Sequence, residues 1–281
     1  MNLDTARGKT VGLVLTTIIA IRGNDFVIMC SDLQGTSRLT KEVVNKIRPI
    51  RLTELLGCAG SSEYIEIFQR YVMAELTKDA QPDYLGSLNT AIDKYGEYIA
   101  NRIDKLRLDR LAGQNLDSYY PDAIFSCYDS YEKRFRIFEI RTPDPCSEIS
   151  RFQSLTAIGS GGTAAVVVLK ALENAMSGWP MEGGKTLNWD RFSWQTICRA
   201  CHILLRQISM LDAYTSGFDF HMLASEGETG VSRKEYFPSD DATDQFPELL
   251  KGVIKEIGKG TVLKSLGQIR LEQVLKELGF G

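Results

Sequence analysis

The amino-acid sequence predicts an α+β fold in which two antiparallel sheets stack face to face and each carries helices on its outer face: a four-layer αββα sandwich. Three observations predict it. Short β-branched and apolar runs arrive in pairs joined by turn residues, and long helical periodicities arrive two at a time between them. No tract rich in Pro, Gly and Ser, no low-complexity segment and no internal repeat divides the 281 residues. Two sheets that each need a cover, with helices supplied in pairs, stack most economically as helix, sheet, sheet, helix.

The elements follow in order. Residues 17–22 and 26–31 are β-branched or apolar runs linked by Gly23, Asn24 and Asp25, and a second strand pair spans residues 46–50 and 55–59. After Gly60, Ser61 and Ser62 can cap a helix with Glu63 in its first turn, and Ile65, Phe68, Val72 and Leu76 repeat at helical spacing. A second helix starts near Asp83, with a stripe of Leu85, Leu88, Ile92, Tyr95, Ile99 and Ile103 that must be covered. Residues 108–121 are polar and read as a loop. Strands return at 123–128 and 134–140 and again before Gly159, and Gly162 or Thr163 can start a helix through Leu172. Another helix is expected over 190–211, strands over 218–224 and 231–237 around Gly227 to Gly230, and a helical remainder.

Composition excludes several classes. With 43% hydrophobic and 25% charged residues the chain is ordinary for a soluble globular protein, and a net charge of -3 (33 basic, 36 acidic) gives no electrostatic case for nucleic acid. Six cysteines, scattered apart from Cys198 and Cys201, in a chain large enough to hold itself together without crosslinks, fit a reducing, cytoplasmic compartment. The apolar run 11–21 behind Arg7 and Lys9 is too short to span a bilayer and lacks a clear cleavage site, so it reads as a buried strand, with no membrane partner.

Three local motifs fail on their context. Cys198 to His202 satisfies the c-type haem attachment pattern, but that chemistry requires export; Cys198, Cys201, Leu205 and Ile208 fall at helical spacing with Trp194 and belong to a core face. Zinc would need two further ligands, and His221 lies on another element. Gly183, Gly184, Lys185 and Thr186 imitate the end of a phosphate loop, but the position of its first glycine holds Trp179; Gly8, Lys9 and Thr10 fail the same test at Leu3.

One constellation remains. Thr16 and Thr17 open the first strand with a hydroxyl, and Asp32 and Lys46 follow at distances that can return an acid and a base to it. A threonine hydroxyl is a poor nucleophile at neutral pH, and a chain cut just before it would supply its own α-amine as the base. Singly, each residue has a plainer explanation: β-propensity for the threonines, a turn for Asp32, a solvated strand end for Lys46.

The runs Thr16-Thr17-Ile18-Ile19-Ala20-Ile21, Ile28-Met29-Cys30-Ser31-Asp32, Asn45-Lys46-Ile47, Cys58-Ala59-Gly60, Ile158-Gly159-Ser160-Gly161 and Asp212-Ala213-Tyr214-Thr215-Ser216-Gly217 resemble, in order, the motifs of proteasome β-type subunits, which belong to the N-terminal nucleophile hydrolases. The likeness spans about residues 16 to 225, and that family's fold is the same αββα sandwich. It implies a threonine endopeptidase subunit of a self-compartmentalised ring, with Thr16 as nucleophile, Lys46 tuning it, Asp32 holding Lys46 and the Gly60 N–H as oxyanion donor. Ser160, Asp212 and Thr215 would orient the amine, and Gly35, Thr36, Cys58 and Ser62 would line the pocket for the residue before the scissile bond. No cofactor or metal is implied. Expected partners are peptide or unfolded-protein substrate and copies or relatives of the chain in a homo- or hetero-oligomeric ring, with α-type subunits and an ATP-dependent unfoldase as further candidates.

The implied organisation is a propeptide-like extension over 1–15, the hydrolase domain over 16–240 and a helical extension of the same domain over 241–281. Two departures from the family pattern stand out. Leu15 occupies the place where self-cleaving members carry glycine, and the Asp32 to Lys46 spacing is about two residues short, which a tight hairpin over 35–40 can absorb. Leu15 keeps a second reading open, a ring subunit that retains its extension without catalysis. A third is an amidohydrolase of small amides, since fold alone does not set substrate.

Overall fold

Apolar, largely β-branched residues on both faces build the first hairpin, β1 (Ile18–Arg22) and β2 (Phe26–Asp32), around the predicted turn, where Gly23 N–H donates to Phe26 O at 2.9 Å. This is seen in a computed structural model, which describes residues 16–36, 41–43, 45–80, 82–105, 119–150, 153–177, 218–226 and 230–235, with residues 189, 194, 197, 198, 200–202, 204 and 205. A short hairpin of β3 (Gln34–Thr36) and β4 (Lys41–Val43) follows, then β5 (Ile47–Arg51) and β6 (Glu54–Ala59). The later strands are β7 (Asp122–Asp129), β8 (Arg134–Arg141), β9 (Ser147–Glu148), β10 (Leu155–Ile158), β11 (Phe218–Glu226) and β12 (Gly230–Glu235). One five-stranded sheet has the order β10-β1-β2-β11-β12 and the other β5-β6-β7-β8-β9. Their neighbours pair antiparallel throughout.

Three apolar layers separate the elements, because successive strand residues point to opposite faces. Ile18, Ala20, Val27 and Met29 of the first sheet meet Leu55, Ile124 and Ile137 of the second in the central layer. Ile19, Ile21, Ile28 and Cys30 face outward against Ala165, Val168 and Leu169 of α3 (Gly162–Ser177) and against Cys198, Cys201 and Leu205. Leu56, Phe125 and Phe138 face the opposite way, beneath α1 (Ser62–Leu76) and α2 (Tyr84–Lys105). The predicted αββα order is the one found. Every described residue from 194 to 205 is helical, and Cys198 and Cys201 lie wholly buried in the core, as their spacing predicts.

Two details differ from expectation. Ser61 occupies the N-cap of α1 with extended backbone, but its hydroxyl makes no cap bond; its carbonyl accepts from Tyr64 and Ile65 N–H instead. Leu85, expected on the buried stripe of α2, is 39% exposed, and the adjacent Tyr84 enters the core in its place, its hydroxyl donating to Glu54 at 3.2 Å. Tyr84 wins because its ring packs on Phe125 and Phe138 while its hydroxyl finds a buried acceptor. Strands β3, β4 and β9 are too short to leave a periodic signal. Residues 108–118 of the expected loop, residues 190–193, 195, 196, 199, 203 and 206–211 of the expected helix, the 227–229 link and everything after 235 lie outside the described residues. Among the described residues no helix is long and apolar enough to cross a membrane.

Candidate active site

The β1–β2 pairing brings Asp32, at the end of one strand, beside Thr16 and Thr17, just before the start of the other. Thr17 N–H donates to Asp32 Oδ1 at 2.8 Å, and Asp32 N–H returns a bond to Thr17 O at 3.3 Å. Lys46 comes from the other sheet, immediately before β5, and is tied to β6 where Cys58 N–H donates to its carbonyl at 3.0 Å. Its ammonium reaches between the sheets, donating to Asp32 Oδ2 at 2.5 Å and to Thr16 Oγ1 at 3.4 Å. The short Asp32 to Lys46 spacing is thus spanned by the β3–β4 hairpin without loss of the ion pair.

Burial grades the site from floor to mouth. Asp32 and Lys46 are 2% and 5% exposed, Thr16 is half-buried, and Gly60 and Ser160 are exposed. Removing the Lys46 ammonium from water lowers its pKa below the ordinary lysine value of 10.5, and the Asp32 carboxylate opposes that fall without cancelling it. A cation held on the hydroxyl oxygen of Thr16 favours the alkoxide, which is the arrangement a hydroxyl nucleophile needs.

The turn after β10 holds the backbone of Thr16. Ser160 Oγ accepts from Thr16 N–H at 2.9 Å, and Gly161 N–H donates to Thr16 O at 3.3 Å. Gly159 has φ +83°, and a Cβ there would stand 2.1 Å from Thr16 O, so only glycine allows the turn to close on the threonine. Gly60 follows the last residue pair of β6 and β7, Ala59 with Asp122, and leaves the ladder with φ +139°. It lies two residues beyond Cys58, hence at the same end of the sandwich as Lys46.

The structure therefore brings Thr16, Asp32, Lys46 and Ser160 into one bonded cluster, with Gly60 at the same end. Asp212 and Thr215 lie outside the described residues, as does Leu15. Gly35 and Thr36 have their backbone in β3, and their side chains lie outside the described residues. Cys58 is sealed under α1 and α2, where burial pushes its thiol up to about 12 despite a hydrogen bond with Gln69, whereas Ser62 opens α1 in solvent. Sequence reasoning missed the Thr17 amide as a holder of Asp32; a backbone donor leaves no trace in residue identity, although Thr17 stands beside the candidate nucleophile. It also passed over the steric role of Gly159, whose signal was the glycine on each side of Ser160.

No curated protein matches the chain. The model of the family described as "Proteasome subunit" matches residues 15–177, more than half of the 281 residues, and takes in Thr16, Asp32, Lys46, Gly60 and Ser160. Two antiparallel sheets with helices on their outer faces are consistent with that match: the chain belongs to the proteasome subunit family.

Proposed function

We propose that the protein is a threonine endopeptidase subunit that hydrolyses peptide bonds inside a self-compartmentalised ring once residues 1–15 have been removed. The observation that carries the reading is Lys46 Nζ, bridging Asp32 Oδ2 and Thr16 Oγ1 from a buried position. Once freed, the Thr16 α-amine, with a reference pKa of about 7.7 to 8.0, takes the proton from Oγ1 as that oxygen attacks the peptide carbonyl. The tetrahedral oxyanion accepts from Gly60 N–H, a contact typically worth about 10²- to 10³-fold in rate. Collapse of the intermediate leaves an ester on Thr16 and a departing amine that receives the proton from the ammonium. Water, activated by the same α-amine, then releases the acid product and restores the hydroxyl.

In this reading Ser160, Asp212 and Thr215 orient the amine, Asp32 keeps Lys46 charged, and Gly35, Thr36 and Ser62 shape an uncharged pocket that favours an apolar side chain before the scissile bond, whereas Cys58 is buried away from substrate. Residues 1–15 form the prosegment, 16–240 the hydrolase domain and 241–281 its extension. The protein works in the cytoplasm on unfolded chains, with neither metal nor cofactor.

Intact mass with N-terminal sequencing tests the proposal. Wild-type protein that cleaves peptides should begin at Thr16, and Thr16→Ala should retain residues 1–15 and lose activity; equal masses alongside undiminished hydrolysis would sink the threonine mechanism. Leu15, in place of the family's glycine, favours the alternative of a ring subunit that keeps its extension. That alternative requires full-length wild-type protein with no peptidase activity.

A further inference from the structure

The Gly60 peptide is not held by the sheet alone. The β6–β7 ladder stops at Ala59 and Asp122, and the next residue along β7's approach is Pro121, which has no N–H with which to extend it. Gly60 instead faces that proline with no free room for a side chain between them: a Cβ on Gly60, which has φ +139°, would lie 3.3 Å from Pro121 Cα and 3.4 Å from Pro121 Cβ. Pro121 therefore walls the side of Gly60 from which a side chain would project.

Pro121 in turn belongs to a short strap, residues 119–121, that two buried hydroxyls pin from behind. Thr142 Oγ1, just past the end of β8, donates to Pro121 O at 2.7 Å. Tyr95, wholly buried on α2, donates its hydroxyl to Tyr119 O. Tyr95 is itself wedged edge-on against Phe68 of α1 at 5.3 Å between ring centroids, and Tyr119 packs on Tyr64 at 4.8 Å. Tyr119 is 6% exposed and Pro121 is buried, so neither carbonyl has water as a ready substitute if its donor is removed.

We infer that Tyr95 and Thr142 are positioning residues for catalysis, fixing the Gly60 N–H through the strap at Tyr119 to Pro121. The inference rests on the reading of Gly60 as oxyanion donor. Such a donor must sit about 2.7–3.1 Å from the developing oxyanion, and displacement by about 1 Å can cost on the order of 10²-fold. A hydroxyl that keeps the strap seated acts on the transition state and leaves substrate binding nearly untouched.

The test uses the full-length protein in its assembled form, with Tyr95→Phe, Thr142→Val and the hydroxyl-retaining Thr142→Ser. Tyr95→Phe and Thr142→Val should each lower kcat by about tenfold with KM changed less than about twofold, a fraction of the full donor effect. The Ki of a peptide boronate, whose tetrahedral adduct uses the same donor, should rise in proportion to the loss in kcat/KM. Thr142→Ser should restore both. Unchanged kcat and boronate Ki in both hydroxyl-deleted variants, or a rise in KM alone, overturns the inference. If one of these variants does not fold, the other decides. A wild-type protein that cleaves no peptide is a failure of the functional reading, not of the strap, which is then read by hydrogen exchange at the Gly60 amide: faster exchange in Tyr95→Phe supports the strap, and identical exchange overturns it.

Discussion

Lys46 carries its charge where water is scarce, and that determines how activity should respond to pH and to mutation. Burial lowers its pKa below 10.5, so the cation that the proposed mechanism places beside Thr16 is lost on the alkaline side earlier than for a solvated lysine. The alkaline limb of kcat/KM should therefore have its midpoint below 10.5, as a pH–rate profile would reveal; a limb only at ordinary lysine values would remove Lys46 from the mechanism. Lys46→Ala should abolish nearly all turnover with the fold intact, and Asp32→Asn should do less damage, because the lysine stays in place beside Thr16 with its charge less well supported. Glu54 offers a stability test at the other end of β6. It is wholly buried, its Oε2 has no hydrogen-bond partner among the described residues, and desolvation raises its pKa above 4.5 against the weaker pull of Arg51. The folded state thus prefers the protonated acid: this contribution is fully present below the unfolded value near 4.5 and is lost as pH rises through the raised value. Glu54→Gln, which stays neutral, should gain in melting temperature over wild type as pH climbs from about 4.5 toward 8, and a constant difference across that range would disprove the account. These residues were visible in the sequence as types, but only burial tells a tuned lysine from a solvated one.

The ends of α1 show what periodicity can and cannot reveal about an element. Phe68, Val72 and Leu76 sit on its buried face as their spacing predicts, because a 3.6-residue period is a property of the helix itself. The helix terminus is satisfied from elsewhere. Its last turn contains no basic residue; Arg51, at the end of β5, donates to Leu76 O, to Asp79 O at 2.7 Å and to Ala80 O at 3.4 Å, while pairing with Glu54 at 3.5 Å. No local pattern could announce a cap that arrives 25 residues upstream of the carbonyl it serves. Arg51→Ala should lower unfolding free energy by about 1–3 kcal/mol, since several carbonyls lose a charged donor together. Urea denaturation with an unchanged midpoint would reduce Arg51 to a surface residue.

At the scale of the whole molecule the family predicts assembly: a nucleophile that attacks ordinary peptide bonds is safe only when access is restricted. Light scattering should give a mass several times 31.4 kDa, with peptidase activity confined to the assembled species. A fully active monomer at micromolar concentration would remove the compartment. By itself the sequence determined the strand pairs, the helix stripes, the layer order and the motif run that led to Thr16, because each is written in the identities of neighbouring residues with a fixed period. Tertiary structure decided the site. Thr16 and Lys46 are 30 residues apart and Asp32 and Lys46 are 14 apart, on two different sheets, and they meet because the central layer of Ile18, Met29, Leu55 and Ile124 clamps those sheets together. The same packing took Lys46 out of water, closed Gly159 onto the threonine and set Gly60 against Pro121, all consequences of contacts between distant segments that no local pattern records.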